Sequence, residues 1–174
     1  MRLVVIVGST RQGRFGPTVA AWFAGHARGR ADLTVEVVDL AEGEPDGGTL
    51  TAADMFVVVT PEYNHSFPGP LKSAIDRHVT PWQAKPVGFV SYGGISGGLR
   101  AVEHLRQVFA ELHAVTVRET VSFVWAPGRF DAGGSPIDPG PCGAAADRLL
   151  DQLAWWGRAL AAARLAHPYG ANVA

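Results

Sequence analysis

The apolar residues of this chain are concentrated in five short segments, and the stretches between them are polar, glycine-rich or amphipathic. The five segments are residues 3–7, 33–40, 55–60, 85–91 and 114–124. Residues 3–7 and 55–60 are apolar almost throughout, which is typical of strands buried on both faces of a parallel sheet. The pattern therefore predicts five strands, two of them fully buried.

Helical patterns separate these strands. Gly16-Pro17-Thr18 opens a helix with proline near its first position, and Gly29 marks its end. Further helices are predicted over residues 71–78, 99–112 and about 144–166. Residues 125–141, rich in proline and glycine, are predicted to form a long loop. Residues 41–54 hold at most one helical turn, near residues 50–54, so we expect one face of the sheet to be thinly covered.

Strands that alternate with helices predict an α/β fold. We expect a flavodoxin-like, doubly wound, three-layer α/β/α arrangement whose five parallel strands take the order 2-1-3-4-5. The length of 174 residues fits one domain over residues 1–174. Ligands of such sheets bind beyond the carboxyl ends of the strands, where the strand order reverses. The loops after the first, third and fourth strands are the most unusual in the chain, and they should meet there.

Composition narrows the function classes. A hydrophobic content of 47% with 18% charged residues is typical of a globular protein, and a net charge of −1 gives no electrostatic footprint for nucleic acid. Apolar runs are too short to span a membrane, and the chain enters a strand at once, which leaves no room for a signal peptide. Cys142 is a lone cysteine and the histidines lack metal-ligand spacing. We therefore expect a cytoplasmic protein without a metal site.

The loop after the first strand has the features of an anion site. Residues 9–14 read STRQGR and lead into the first helix, so backbone N–H groups, the helix dipole and the charges of Arg11 and Arg14 would face an anion. The loop matches neither G-x-G-x-x-G nor the P-loop, because no lysine follows Gly13. Its hydroxyl and guanidinium groups suit a terminal monophosphate. The alternative is an ordinary solvated turn with two arginines.

The other two loops suit a flat ligand. Prolines stiffen the loop over residues 60–72, so its amides can be held in fixed positions. Four glycines between residues 91 and 98 let the backbone approach a ring edge closely. The three loops together predict a slot for an aromatic ring with a phosphate tail.

Three motifs in these loops resemble those of the NAD(P)H-dependent FMN reductase family. They are GSTRQGR at residues 8–14, PEYNHSFPGPLKSAID at residues 61–76 and SYGGISGGLRAVEHLR at residues 91–106. The resemblance covers roughly residues 3–123, and its second motif is the most specific. It implies FMN bound without a covalent link, NADPH or NADH as electron donor, and a small acceptor such as a flavin, quinone, azo or nitro compound or a metal oxyanion.

The same resemblance implies the site residues. They are Ser9, Arg11, Arg14, Phe15 and Thr18 around the phosphate, Pro61, Glu62, Tyr63 and Asn64 along the isoalloxazine, and Ser91, Tyr92, Gly93 and Gly94 on its pyrimidine side. No side chain is expected to be catalytic, because the flavin carries the reaction. Glu62 could act as an acid, but a role in positioning the backbone or pairing with another side chain is favoured. Relatives with a Ser-Phe-Asn phosphate loop differ here, where Phe15-Gly16 stand, so Arg14 and Thr18 would have to compensate.

Two other functions fit parts of the sequence. Gly94-Ile95-Ser96-Gly97-Gly98 matches the G-x-S-x-G pattern of serine hydrolases, with Asp131, Asp138 and His167 downstream. This interpretation leaves the first two loops unexplained and lacks an HGGG-type element. An FMN-binding electron-transfer module without its own NAD(P)H turnover is the other alternative. The near-neutral charge favours an enzyme with small-molecule acceptors over a shuttle that docks on basic partners.

Aromatic residues late in the chain indicate self-association. Trp125, Phe130 and the Trp155-Trp156 pair exceed what one small core needs, although the pair could instead cap the sheet. The family resemblance implies a homodimer, or in some cases a homotetramer. In a dimer, residues 125–141 of one subunit would lie near the flavin of the other.

Overall fold

The computed structural model describes residues 1–170, so residues 171–174 of the predicted domain lie outside the described part of the chain. Its strands are β1 (Arg2–Val7), β2 (Thr34–Asp39), β3 (Met55–Pro61), β4 (Pro86–Gly93) and β5 (Val115–Val124). Its helices are α1 (Gly16–Arg28), α2 (Gly47–Ala52), α3 (Gly69–Asp76), α4 (Leu99–Glu111) and α5 (Pro139–Ala166). Short 3-10 turns cover Thr80–Trp82 and Ala126–Arg129.

The five strands form one parallel sheet in the order β2-β1-β3-β4-β5, which confirms the predicted topology. Strands β1 and β3 are neighbours at the centre, with Val5 of β1 opposite Val57 of β3. Every residue of β3 is buried, as a strand covered on both faces requires. The reversal of strand order therefore falls between β1 and β3.

Alternate residues of the central strands point into two separate cores. Leu3, Val5 and Val7 pack with residues of α1 and α5 on one face of the sheet. Val4 and Ile6 pack with residues of α2, α3 and α4 on the other. The period of two along a strand thus gives each face its own apolar layer. Two helix layers enclose the sheet, as expected for a doubly wound fold.

The expectation of a thinly covered face is wrong. Trp82, only 1% exposed, fills the space beside the short helix α2 and packs edge-on against Phe56 and Phe109, with ring centroids 4.7 and 5.5 Å away. Its indole Nε1 donates a hydrogen bond to the carbonyl oxygen of Ile75 (3.2 Å), so the buried polar atom is satisfied. One large side chain replaces the helix turns that the link between β2 and β3 lacks.

The predicted loop over residues 125–141 is also shorter than expected. Helix α5 begins at Pro139, five residues before the predicted start, because prolines fit the first turn of a helix, where an N–H has no partner in any case. Phe130 anchors the remaining segment in the core beside Phe15 and Phe123, at centroid distances of 5.4 and 4.9 Å. Among residues 1–170, none of the helices is both long and apolar enough to cross a membrane.

Candidate functional site

Three loops meet at the carboxyl edge of the sheet: loop one (residues 8–15), loop two (residues 62–68) and loop three (residues 94–98). They follow β1, β3 and β4, three adjacent parallel strands. Backbone hydrogen bonds extend the pairing into the loops, from Gly8 N–H to the Val59 carbonyl and from Glu62 N–H to the Tyr92 carbonyl, both 2.9 Å. The sheet therefore fixes the positions of the three loops relative to one another.

Loop one presents unpaired backbone donors. The N–H groups of residues 10–13 have no hydrogen-bond acceptor among residues 1–170, whereas Arg14 N–H closes a turn onto the Arg11 carbonyl (3.3 Å). Gly13 is the third residue of this turn and has a φ of +68°, a value that a type II turn requires at that position. Helix α1 begins directly after the loop, so its positive end faces the same space. This arrangement fits a phosphate group, whose oxygens would accept from these amides.

The two arginines of loop one have different roles. Arg11 is exposed, and its guanidinium lies over the ring of Tyr63, 3.6 Å from the centroid. Arg14 instead points back into the protein and forms a two-point ion pair with Asp39 at the end of β2, at 2.6 and 2.8 Å. Hydrogen bonding to the Asp39 carboxylate raises the pKa of Arg14. Arg11 can thus meet a ligand, while Arg14 braces the loop.

Ser9 and Tyr92 connect loop one to the end of β4. Ser9 is fully buried, and the Tyr92 hydroxyl lies 3.2 Å from its Oγ. Burial raises the pKa of Tyr92 to about 12, and the hydrogen bond to Ser9 opposes this only in part. A Cβ on Gly16 would lie 2.4 Å from Ser9 Oγ, so the pair depends on glycine at the start of α1. Ser9 Oγ thus accepts a hydrogen bond from Tyr92 within the protein.

Phe15 and Thr18 lie at the start of α1, beside the phosphate loop. The ring of Phe15 packs edge-on against Phe130 and adds to the core, so its side chain supports the loop from behind. Thr18, the third residue of the helix, is partly exposed and borders Gly134. Of these two predicted contacts, Phe15 is taken up by packing, whereas the side chain of Thr18 remains partly accessible.

Loop two begins with a tight two-residue turn. Tyr63 and Ser66 exchange backbone hydrogen bonds at 2.8 and 3.0 Å, and the residues between them, Asn64 and His65, have φ angles of +50° and +70°. Positive φ at both central positions is the condition for a type I′ turn, and asparagine tolerates it better than most residues. Pro61 before it is the buried last residue of β3. The turn presents Tyr63 to Arg11.

Glu62 joins loop two to loop three and to α4. Its side chain is 8% exposed and accepts hydrogen bonds from Ser96 Oγ (2.6 Å), from the Arg100 backbone N–H (3.1 Å) and from the Arg100 guanidinium (2.8 Å). Burial raises the pKa of the Glu62 carboxyl, but the hydrogen bonds from Ser96 and Arg100 outweigh that effect, so the net pKa is lowered. Glu62 is held as a carboxylate, in line with the favoured pairing role.

Hydrogen bonds from two serines of the sheet hold loop three in its conformation. Ser91 Oγ donates to the Gly97 carbonyl (2.9 Å), and so does Ser122 Oγ of β5 (2.8 Å). Gly98 has a φ of +91°, and a Cβ there would lie 2.7 Å from Ser91 Cβ, so only glycine fits. A Cβ on Gly93 would lie 3.3 Å from Glu62 Cβ of loop two, and one on Gly94 would lie 3.5 Å from the ring of Trp125. Ser91 is fully buried and its hydroxyl is engaged by Gly97, so the structure does not bring the side chain of this predicted contact to the open side of the rim.

The hydrolase interpretation does not fit this geometry. Ser96 donates its hydroxyl to a carboxylate, Glu62, and no histidine among residues 1–170 forms a hydrogen bond with it. Nucleophilic serine needs a base that accepts its proton and is itself oriented by a third group. Ser96 is a structural link between two loops.

Two residues at this rim, Asp39 and Arg100, were missed by the sequence analysis, and a third, Trp125, was assigned to self-association instead. Asp39 ends β2, so the predicted topology already placed it at the same edge as loop one. Arg100 lies within the third motif, but its pairing with Glu62 spans 38 residues and has no local signal. Trp125 follows β5 directly, and its ring lies against Gly94.

Comparison with known proteins agrees with this geometry. A family model described as NADPH-dependent FMN reductase matches residues 1–50 and 47–126. The quinone reductase of Escherichia coli K12 is 34% identical over 140 residues, which cover 68% of this chain and 74% of that protein. The NAD(P)H-dependent FMN reductase of Schizosaccharomyces pombe is 34% identical over 120 residues, 56% of this chain and 60% of the relative. Matches to plant NADPH:quinone oxidoreductases span only about half of those proteins, 48% in two of them.

Solved structures extend the likeness to almost the whole chain. FerB from Paracoccus denitrificans, a flavoenzyme NAD(P)H:(acceptor) oxidoreductase, superposes with a TM-score of 0.73 at 21% identity and covers 90% of this chain and 97% of its own. At that identity the likeness shows the fold alone. The family model, however, matches well over half of the sequence and includes all three loops. The chain belongs to the NADPH-dependent FMN reductase family.

Proposed function

We propose that this protein is an FMN-dependent oxidoreductase that takes a hydride from NAD(P)H and passes electrons to a small acceptor such as a quinone, flavin, azo or nitro compound. The observation that carries the proposal is the joining of three loops into one rim, with free amides at one end and bare glycine backbone at the other. Relatives named as FMN and quinone reductases support the same activity.

The rim offers distinct surfaces to the two ends of FMN. The phosphate would be bound by the amides of residues 10–13, by Arg11 and by the hydroxyl of Thr18, with Ser9, Arg14 and Phe15 holding the loop in shape. The ring would lie between loop two, through residues 61–64, and the backbone of Ser91, Tyr92, Gly93 and Gly94. Because most of these contacts use backbone atoms, they are rigid and need no side-chain rearrangement.

Bound FMN would supply the hydride and electron chemistry of the reaction. The protein's own residues would bind and orient the ring and place backbone N–H groups at its polar edge, where negative charge develops. Glu62 would not donate a proton, because Ser96 and Arg100 keep it ionised. Its role is to keep loops two and three at a fixed separation.

We also propose that the protein is a cytoplasmic homodimer. Trp155 and Trp156 are 60% and 36% exposed on α5, with ring centroids 5.0 Å apart, and the exposure of Trp155 supports an interface role over a capping role. The open ring of Trp155, with Trp156 packed beside it, is the kind of apolar surface found at protein interfaces. The single cysteine accords with a reducing compartment.

A direct experiment combines FMN binding with NAD(P)H turnover. Purified protein should quench the fluorescence of added FMN, and the loaded protein should oxidise NADPH or NADH in the presence of a quinone, azo, nitro or flavin acceptor. FMN binding without NAD(P)H oxidation under any acceptor would favour the electron-transfer alternative. Failure to bind FMN would reject the proposed function.

A further inference from the structure

Trp125 has an unusual backbone conformation for its size. Its φ and ψ are both +53°, in the left-handed region, and its side chain is 67% exposed. A bulky aromatic residue in this region is an outlier, and such outliers concentrate at functional sites. Exposure of the ring adds no burial to offset this conformation. The fold thus holds an apolar ring in water at a position where glycine would be easier to accommodate.

The neighbours of Trp125 fix its position at the candidate site. Its backbone N–H donates to the carbonyl of Gly93 (2.8 Å), and its own carbonyl accepts from Gly128 N–H (3.0 Å). A Cβ on Gly94 would lie 3.5 to 3.8 Å from three carbons of the indole six-membered ring. Trp125 therefore extends the glycine wall of loop three with a flat apolar surface.

The other tryptophans of the chain behave differently. Trp22, Trp82, Trp155 and Trp156 each pack edge-on against another aromatic ring. Trp125 has no aromatic partner of this kind among residues 1–170. Its ring is held at the mouth of the site with one side free, which is how a stacking surface for an incoming planar molecule would be arranged.

We infer that Trp125 is a substrate-positioning residue that stacks on the ring of a planar aromatic electron acceptor and so favours ring-shaped acceptors over inorganic ones. The inference rests on the proposed function. The acceptor, rather than the flavin, is assigned to this surface because the ring stands exposed beside Gly94, whereas the proposed flavin slot lies between loop two and the backbone of residues 91–94. Trp125 contributes contact area and orientation only and takes no part in the transfer of electrons.

The test compares two acceptors in three variants. Trp125→Gly removes the ring and suits the left-handed backbone, Trp125→Phe keeps an aromatic surface, and Ala84→Gly relaxes another left-handed residue (φ +52°) at the opposite edge of the sheet. With NADPH as donor, Trp125→Gly should raise the KM for 1,4-benzoquinone about three- to tenfold, the range expected for loss of an aromatic contact. Its KM for ferricyanide should stay unchanged. Trp125→Phe should restore most of the quinone KM, and Ala84→Gly should alter neither.

A binding measurement gives a readout apart from turnover. The indole N–H resonance of Trp125 is identified as the one that is missing from the spectrum of Trp125→Phe. When redox-inert 2-naphthol is titrated into FMN-loaded protein labelled with ¹⁵N, this resonance should shift more than those of the other tryptophans. Equal quinone KM values in wild type and Trp125→Gly would overturn the inference while leaving the proposed function intact. A parallel loss of FMN affinity in Trp125→Gly would overturn it too, because the stacked ring would then be that of the flavin. Wild-type protein without FMN binding or NADPH oxidation would reject the proposed function itself.

Discussion

Arg14 and Asp39 form a two-point ion pair that ties the loop after β1 to the end of β2. The guanidinium nitrogens lie 2.6 and 2.8 Å from the two carboxylate oxygens, and Arg14 also donates to the Ser9 carbonyl at 2.8 Å. The two side chains are only 16% and 13% exposed, so solvent screens the pair weakly. The pair keeps loop one in the conformation that leaves the amides of residues 10–13 free.

We expect Asp39→Asn to destabilise the protein and weaken FMN binding. The variant keeps the shape of the side chain but leaves the Arg14 charge without its counter-ion, which should lower the free energy of unfolding by about 1–3 kcal/mol. Urea denaturation and FMN titration would measure the two effects. Glu111→Gln, which neutralises an exposed carboxylate on α4, is the control. Unchanged FMN affinity in Asp39→Asn would contradict the bracing role of the pair.

Arg11→Glu should weaken FMN binding more strongly than a substitution in the Arg14–Asp39 ion pair. A charge-assisted hydrogen bond of about 1.5–3 kcal/mol would be replaced by repulsion, which corresponds to a loss of affinity of at least about tenfold. The loss should shrink at high salt, because Arg11 is exposed. Arg28→Glu makes the same charge change at the other end of α1 and should leave FMN affinity unaltered. Equal affinity of both variants would reject the phosphate site in loop one.

Sheet topology could be predicted from the sequence because burial on both faces leaves a plain signal. Apolar runs such as residues 55–60 predict central strands, their alternation with helices predicts a parallel sheet, and the order 2-1-3-4-5 is a common doubly wound arrangement of five such strands. The coverage of the second face could not be predicted in the same way. Trp82 lies in a short 3-10 turn and reaches Phe56 and Phe109 across the core, a contact that no local pattern encodes.

The candidate site, too, could be predicted only in part from the sequence. Its three loops could be located, because parallel strands bring their carboxyl ends to one edge. The direction of each side chain could not, since it depends on partners distant in sequence. Arg14 turns away from the open side of loop one toward Asp39, 25 residues on, and Ser9 turns toward Tyr92, 83 residues on. Spacing within a motif carries no information on such pairs.

Glu62→Gln should loosen the connection between loops two and three. At neutral pH it replaces a buried carboxylate that accepts from Ser96 and Arg100, so the free energy of unfolding should fall by about 1–3 kcal/mol. The pKa of Glu62 is lowered in the fold, so this stabilisation is present above the ordinary pKa of 4.5 and is lost as the pH falls through the folded pKa. The stability difference between wild type and Glu62→Gln, measured by urea denaturation at several pH values, should therefore shrink below about pH 4.5.

Controls separate this effect from a simple loss of charge. Glu103→Gln removes an exposed carboxylate from α4 and should give no such pH dependence.

Ser96→Ala should retain NAD(P)H oxidation, because Ser96 only supports Glu62. Complete loss of turnover in Ser96→Ala would restore the nucleophilic interpretation of that serine.

Replacing Trp155 and Trp156 together by alanine should convert a dimer into a monomer. Large aromatic side chains at an interface each contribute about 2 kcal/mol or more, so their joint loss should raise the dissociation constant over a hundredfold. Gel filtration with light scattering across a dilution series would measure it. Leu165→Ala, on the same helix and 88% exposed, is the matched control. Wild-type protein that elutes as a monomer would exclude the proposed dimer.

Tyr92→Phe should change how stability depends on alkaline pH. The pKa of Tyr92 is raised from 10.0 to about 12, so the neutral phenol is favoured in the fold. The stability linked to this group is fully present below pH 10 and is lost between about pH 10 and 12, a loss of about 2–3 kcal/mol at 1.36 kcal/mol per pKa unit. Wild type should show this loss in urea denaturation and Tyr92→Phe should not.

The same variant reports on the link between Tyr92 and loop one. At pH 7, Tyr92→Phe leaves the buried hydroxyl of Ser9 without its partner, which should cost about 1–3 kcal/mol and lower FMN affinity, since Ser9 supports the phosphate loop. Tyr169→Phe removes an exposed phenol and should affect neither property. Ionisation of Tyr92 above pH 10 destabilises only the wild type, whereas the loss of the Ser9 partner destabilises only Tyr92→Phe. The stability curves of the two proteins should therefore approach each other above pH 10. If the two curves stay parallel from pH 7 to 12, burial does not oppose the ionisation of Tyr92.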